Sequence, residues 1–343
     1  MRHLLNTLYV TTQGTYLARE GEAVVVKNDA DNLLRVPIHT LSGIVCFGRV
    51  SCSPPLLGLC AERDVAVSFL TEHGKFLARV QGAVHGNVLL RRAQYRAADD
   101  EAIRTAIARA MVTGKVANCR VVLLRAAREC SVAADVAELE SAARRLADIL
   151  TALDREPSLE VLRGMEGEAA QTYFAVFDHL ITASKADFTF QGRSRRPALD
   201  NVNSLLSFIY TLLVHDCVGA LETVGLDPAV GYLHTDRPGR PGLALDVMEE
   251  FRPFVADRLA LSLINRRQVA ALGFQKTESG GVVMDETTRK EVLVAWQKRK
   301  QEEIQHPFLG EKLPVGLLPY VQALLLARRL RGDLDGYPPF LWR

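Results

Sequence analysis

The sequence predicts an α+β protein, with an N-terminal β-sandwich domain over residues 1–85 followed by a larger all-α domain over residues 86–343. Three observations carry this expectation. Up to Val80 the apolar runs are short and broken by turn formers. Beyond Asn87 the apolar spacing becomes helical. A chain of 343 residues also exceeds what one small core organises, so about two domains are expected.

Leu4–Val10, Thr15–Arg19, Glu22–Lys27, Leu33–Val36, Leu41–Phe47, Val65–Leu70 and Lys75–Val80 read as strands. They turn at Gly14, Gly21, Asn28-Asp29 and His73-Gly74, and hairpins at this spacing suggest a compact sandwich. Ser53-Pro54-Pro55 opens a short helix to Arg63, because proline fits a first helical turn. Val88–Arg128 has helical periodicity and no proline, and Val136–Arg155 sets Leu139, Ala143, Leu146 and Ile149 on one stripe. A helix from Pro157 to Thr182 follows, then a long apolar one to Val224 capped by Asp200 or Asn201. Leu243–Ser262, Thr287–Glu303 and Pro314–Arg331 complete the helices, interrupted by a hairpin at Phe274–Met284.

Composition narrows the function classes. Hydrophobic residues at 48% and charged residues at 24% are ordinary for a soluble globular protein. A net charge of +2 is nearly neutral, so any nucleic-acid partner has to be argued from local patches. No pair among Cys46, Cys52, Cys60, Cys119, Cys130 and Cys217 makes a C-x-x-C, which points to small buried hydrophobes in a reducing compartment. The first ten residues lack a signal-peptide pattern, and the longest apolar run, Leu205–Val214, is too short to span a bilayer. A cytoplasmic protein with no membrane association is expected.

Three segments combine acids or histidine with an apolar helix face. In Arg163-Gly164-Met165-Glu166-Gly167-Glu168, Glu166 shares a stripe with Leu159, Leu162, Ala169 and Tyr173. Glu168 lies roughly 200° away. A carboxylate on a buried stripe is costly unless paired or bound to a cation, and a partner arginine at a helix interface would meet that cost equally well. The second segment is Gly231-Tyr232-Leu233-His234, in a loop. The third, Leu243-Ala244-Leu245-Asp246 to Glu249-Glu250-Phe251-Arg252-Pro253, puts Asp246 on one face with either Glu249 or Glu250. Carboxylates plus an imidazole, without thiolate, form a hard oxygen-rich set suited to Mg²⁺ or Mn²⁺ and so to phosphoryl transfer.

Basic clusters at Arg193, Arg195 and Arg196, at Arg266 and Arg267, and at Lys298, Arg299 and Lys300 offer phosphate contacts for DNA. Each could equally be a solvated face. Gly114-Lys115 is followed by valine, and no phosphate-binding loop occurs, so nucleotide hydrolysis is not expected to drive the reaction.

On these residues the chain resembles the CRISPR-associated integrase/endonuclease family, the universal spacer-acquisition protein. The resemblance runs nearly the full length. It rests on Arg163 to Gly167, Asn201-Val202-Asn203-Ser204, Gly231 to His234 and Leu243 to Pro253. The stretch around His306-Pro307 and the Tyr337-Pro338-Pro339 ending look like the type I-C branch. The resemblance implies metal ligands at Glu166, His234 and Glu249 with Asp246 beside them as a further catalytic residue. It implies a homodimer through the N-terminal domains and a heterohexamer with a small ferredoxin-like adaptation protein. The implied reaction inserts pre-spacer DNA into the double-stranded CRISPR repeat, by attack of a 3′-hydroxyl on a phosphodiester. A nuclease that cuts without joining and a non-catalytic DNA-binding scaffold are the rival classes.

Overall fold

The computed structural model describes residues 6–28, 31–74, 76–80, 82, 88–195 and 197–342. The expected strand start at Leu4, the turn residue Asp29, the domain boundary at 85/86 and Arg196 lie outside the described residues.

Strands β1 (Thr7–Val10), β2 (Tyr16–Glu20), β3 (Ala23–Asn28), β4 (Asp31–Pro37), β5 (Gly43–Phe47), β6 (Ser51–Cys52), β7 (Ala66–Leu70) and β8 (Phe76–Val80) form two four-stranded sheets. Their orders are β1-β5-β7-β8 and β4-β3-β2-β6. The hairpins expected from the turns hold for β2–β3, β3–β4 and β7–β8. The pure hairpin reading needs correction, because β1 and β5, β5 and β7, and β2 and β6 pair in parallel. Helix α1 (Pro54–Glu62), capped by Ser53 through Leu56 N–H, makes the crossover from β5 and β6 to β7 that parallel pairing requires. Leu17, Val24, Ile44, Leu56 and Val67 fill the space between the layers.

The helical region comprises α2 (Val88–Asp99), α3 (Glu101–Glu129), α4 (Ala133–Leu153), α5 (Leu159–Ala175) and α6 (Asn201–Val224). It continues with α7 (Gly242–Glu249), α8 (Arg258–Asn265), α9 (Glu286–Gln301) and α10 (Leu318–Arg331). Where one helix is expected over Val88–Arg128, Asp100 is extended and its carboxylate accepts from Ile103 N–H, so a cap starts α3 afresh. The single helix expected over Leu243–Ser262 is likewise interrupted, by a π-helical stretch at Arg252–Asp257. Pro253 in that stretch supplies no backbone donor, which is a sufficient reason for the break. Asp200, one of the two caps considered, starts α6 by accepting from Asn203 N–H, and Gly225 ends it at φ 92°.

Helix α6 is long and apolar enough to cross a membrane by composition, but 67% of its apolar window is buried inside the protein, as a core helix is. The hairpin expected at Phe274–Met284 is β9 (Phe274–Lys276) with β10 (Val282–Met284). A further one, β11 (Glu303–Gln305) with β12 (Lys312–Pro314), was not legible in the sequence. Val45, Phe47 and Leu70 of the first sheet join the helical core, and Phe47 meets Phe208 of α6 at 6.0 Å. Lys300, buried and bound to Asp216 at 2.8 Å and Thr7 Oγ1 at 3.3 Å, ties α9 to α6 and β1. All six cysteines are free, and four of them are buried.

Candidate functional site

The site is built where α3, α5, α7 and the loop before α7 meet. Leu159, Leu162, Ala169 and Tyr173 bury one face of α5, as their spacing predicts, and carry Glu166 at the edge of that face with its side chain 26% exposed. The glycines on either side, Gly164 and Gly167, have nothing within 4 Å of where a Cβ would stand. Among the described residues, no other backbone uses the room they leave.

Loop residues 231–234 are fixed by Asp246 of α7, which is fully buried. Asp246 Oδ2 accepts from the backbone N–H of Tyr232 at 2.6 Å and of Leu233 at 2.9 Å. Oδ1 accepts from His234 N–H at 3.0 Å and from His234 Nδ1 at 2.5 Å. Since the carboxylate only accepts, Nδ1 carries a proton, and in the neutral ring the lone pair is left on Nε2. Arg104 of α3 and Arg163 of α5 donate to the carbonyls of Tyr232 and Leu233 from the other side. A Cβ at Gly231 would sit 2.7 Å from Asp246 Oδ2 and 2.7 Å from Gly242 C, so glycine is required for this approach.

Between the two acids that face each other lies Lys115 of α3. Its ammonium bonds Glu166 Oε1 and stands 2.7 Å from Glu249 Oε2, with only 6% of its side chain exposed. Glu249, 2% exposed, is also bound through Oε1 by Arg252 at 2.7 Å. Burial works against its charge, but Arg252 and Lys115 outweigh burial and hold the carboxyl down to about 2. Burial likewise disfavours the Lys115 ammonium, and Glu249 and Glu166 together hold it above the ordinary lysine value. Among the described residues, no three His, Cys, Asp or Glu side chains stand as a ready-made metal cage. Glu166 and Glu249 converge on one point, and that point carries the ammonium.

Glu249 and Glu250, which spacing leaves undistinguished, touch different partners. Glu250 points away from the site and is fully buried. It accepts from Tyr337 Oη at 2.6 Å, Phe340 N–H at 2.6 Å and Gln322 Nε2 at 3.0 Å. Burial pushes it up to about 8 against those donors. The Tyr337-Pro338-Pro339 segment is thereby clamped onto α7, with Asn118 of α3 bonding the carbonyls of Glu250 and Phe340.

Behind Glu249 a buried network extends to the arginine loop. The guanidinium of Arg252 lies over one face of the Tyr210 ring at 4.9 Å, and that of Arg193 is 5.2 Å from the same ring. Tyr210 donates to Asp257 at 2.6 Å, and burial raises Asp257 to about 6 against that bond. Arg193 also donates to Ser194 O, to Asn203 Oδ1 and to Ser207 Oγ. The guanidinium of Arg193, expected to contact DNA, is engaged by the chain itself. Arg299 is held in the same way by Glu302, Phe254 O and the Phe254 ring. Arg195, Arg266, Arg267 and Lys298 are exposed. A groove of about 720 Å³ lined by Leu263, Lys290, Val294 and Lys298 lies between α8 and α9 and includes none of the four acidic or histidine site residues.

Lys115 was missed as a site residue, although a signal existed. Ala108, Met111, Val112, Cys119 and Val122 are buried around it on α3, and a lysine on such a stripe requires a carboxylate partner.

The family described as "CRISPR associated protein Cas1" matches residues 8–298. The chain belongs to the Cas1 family. It is 57% identical over 343 residues to the CRISPR-associated endonuclease Cas1 1 of Chlorobaculum tepidum, covering 100% of both chains. Its fold is also that of a Cas1 protein from Thermotoga maritima, with TM-score 0.81 and 22% identity over 95% of this chain and 97% of that one. A casposase bound to its integration product shares the fold with TM-score 0.84 and 22% identity, over 98% of this chain and 94% of that one. Within the Cas1 family the chain brings its acidic site residues from α5 and α7, and its histidine from the loop between α6 and α7.

Proposed function

We propose that this protein is a divalent-metal-dependent DNA integrase and endonuclease that inserts spacers into a CRISPR array. The observation that carries the reading is the convergence of Glu166 and Glu249, from separate helices, on one cationic point, with the His234 imidazole held by the buried Asp246 of the same helix as Glu249. The endonuclease name of the 57% identical relative supports it.

The donor set fits a hard cation. Two carboxylates already share a positive charge, and Glu249 Oε2 is buried and 2.7 Å from Lys115 Nζ without a well-directed hydrogen bond, leaving accepting capacity. Glu166, Glu249 and His234 Nε2 would hold Mg²⁺ or Mn²⁺. Such an ion supplies Lewis acidity to a phosphodiester and acidifies an attacking hydroxyl. Asp246 is a positioning residue in this reading, since its oxygens are occupied by the loop amides and the imidazole. Arg252 keeps Glu249 ionised. The pre-spacer 3′-hydroxyl exchanges one phosphodiester for another, so no nucleotide need be hydrolysed.

The exposed apolar residues of two edge strands, Leu33 and Leu34 on β4 and Phe76 and Leu77 on β8, favour a homodimer through the N-terminal sheets. The sequence resemblance supports a small ferredoxin-like partner, a heterohexamer and the type I-C branch, and the free cysteines support a cytoplasmic setting.

The test is strand transfer of a duplex with 3′-hydroxyl ends into repeat-bearing DNA. Joining should require added Mg²⁺ or Mn²⁺, stop with chelator, and stop again when the duplex carries 3′-deoxy ends. Cutting without joining would replace the integrase by a nuclease. A second measurement separates the arginines. Arg195→Ala should flatten the log–log salt dependence of DNA affinity by about 0.9 for each phosphate that is no longer neutralised. Arg193→Ala should lower the thermal midpoint and leave that slope unchanged, because its donors serve Asn203 and Ser207.

A further inference from the structure

Lys115, with 6% of its side chain exposed, lies between Glu166 and Glu249, closer to both than a surface ion pair requires. Counting Glu166, Glu249, Lys115 and Arg252, the cluster is electrically neutral as it stands. Two carboxylates sharing one site, Glu249 buried and Glu166 half-buried, repel each other unless a cation sits between them. Lys115 is that cation here. A divalent ion entering beside it would convert a neutral cluster into one of charge about +2 in a poorly hydrated setting, whereas an ion replacing the ammonium meets a net charge of about −1.

We propose, resting on the metal-dependent reading above, that Lys115 is a built-in counter-ion that competes with the divalent cation for the Glu166–Glu249 pair. It keeps the two carboxylates together when no metal is bound, and it swings out when metal enters. Its charge therefore weakens metal affinity and sets the concentration at which the site fills. The stem of four methylenes makes such a displacement a side-chain rotation with no movement of α3. Gly114, preceding it, lets α7 approach, since a Cβ there would stand 3.1 Å from Glu250 Cγ.

The test is the affinity for Mn²⁺ of the full chain, measured by calorimetry and by the paramagnetic resonance signal of free Mn²⁺, on the unaltered protein and on Lys115→Met. Methionine keeps the volume and removes the charge. The proposal expects at least about tenfold tighter binding by the variant, from loss of a like charge beside the ion, and a larger metal-induced rise in thermal midpoint. Equal or weaker binding by the variant overturns the counter-ion role while leaving the metal site standing. Absence of binding to both proteins overturns the metal reading and the counter-ion role with it. Should Lys115→Met not fold, amine labelling of the unaltered protein with an activated ester decides. Lys115 should react several-fold faster with Mg²⁺ than without, while exposed Lys298 keeps its rate. An unchanged or slower rate at Lys115 overturns the proposal.

Discussion

Replacing Glu166 with glutamine should reduce strand transfer by at least about 100-fold while leaving the thermal midpoint and DNA affinity close to those of the unaltered protein. Loss of an outer partner of a metal ligand already costs roughly 10–100-fold, so loss of a ligand should cost no less. The small structural effect follows from position. Glu166 sits 26% exposed at the rim, and water can take over part of its interaction with Lys115. Glu249→Ala should abolish strand transfer as well, but with a stability loss on the order of 3–5 kcal/mol, because Arg252 and Lys115 would be left buried without their carboxylate. Thermal denaturation, DNA affinity and joining measured on the same preparations give the contrast. If Glu166→Gln joined DNA at an unaltered rate, the two-carboxylate site would be discarded.

Asp246→Ala should be the second large effect, and it acts through the loop. Three backbone N–H groups and the His234 imidazole would lose their acceptor at once. At about 1–3 kcal/mol for each buried donor left unpaired, a loss of several kcal/mol is expected. Hydrogen exchange locates the damage: the amides of Tyr232, Leu233 and His234 should lose protection before those of α3. Asp246→Asn keeps an acceptor oxygen but turns an NH₂ toward backbone donors, so it should restore part of the stability and little of the strand transfer. Retained protection at Tyr232 and Leu233 in Asp246→Ala would contradict the anchoring role.

The sequence by itself determined the two-part architecture, because strand and helix periodicities depend only on local spacing, and the punctuation at Gly14, Gly21, Ser53 and Asp200 is chemical. It also singled out Glu166, His234 and Asp246, with either Glu249 or Glu250, since each acid or imidazole falls near apolar neighbours. Parallel pairing of β1, β5 and β7 was beyond it, as it depends on which distant strands meet after α1 crosses over. So was the division of labour between Glu249 and Glu250. Adjacent residues on a helix point about 100° apart, and only the packed neighbours decide that one meets Lys115 and Arg252 while the other clamps Tyr337 and Phe340. Basic clusters had the same ambiguity. Arg193 and Arg195 are two residues apart in one loop, yet Tyr210 and Asn203 engage the first and leave the second in solvent. A run of charges states how much charge is present. Where each charge is used is a property of the tertiary structure, because a guanidinium or carboxylate is committed only by partners that folding brings within hydrogen-bonding distance.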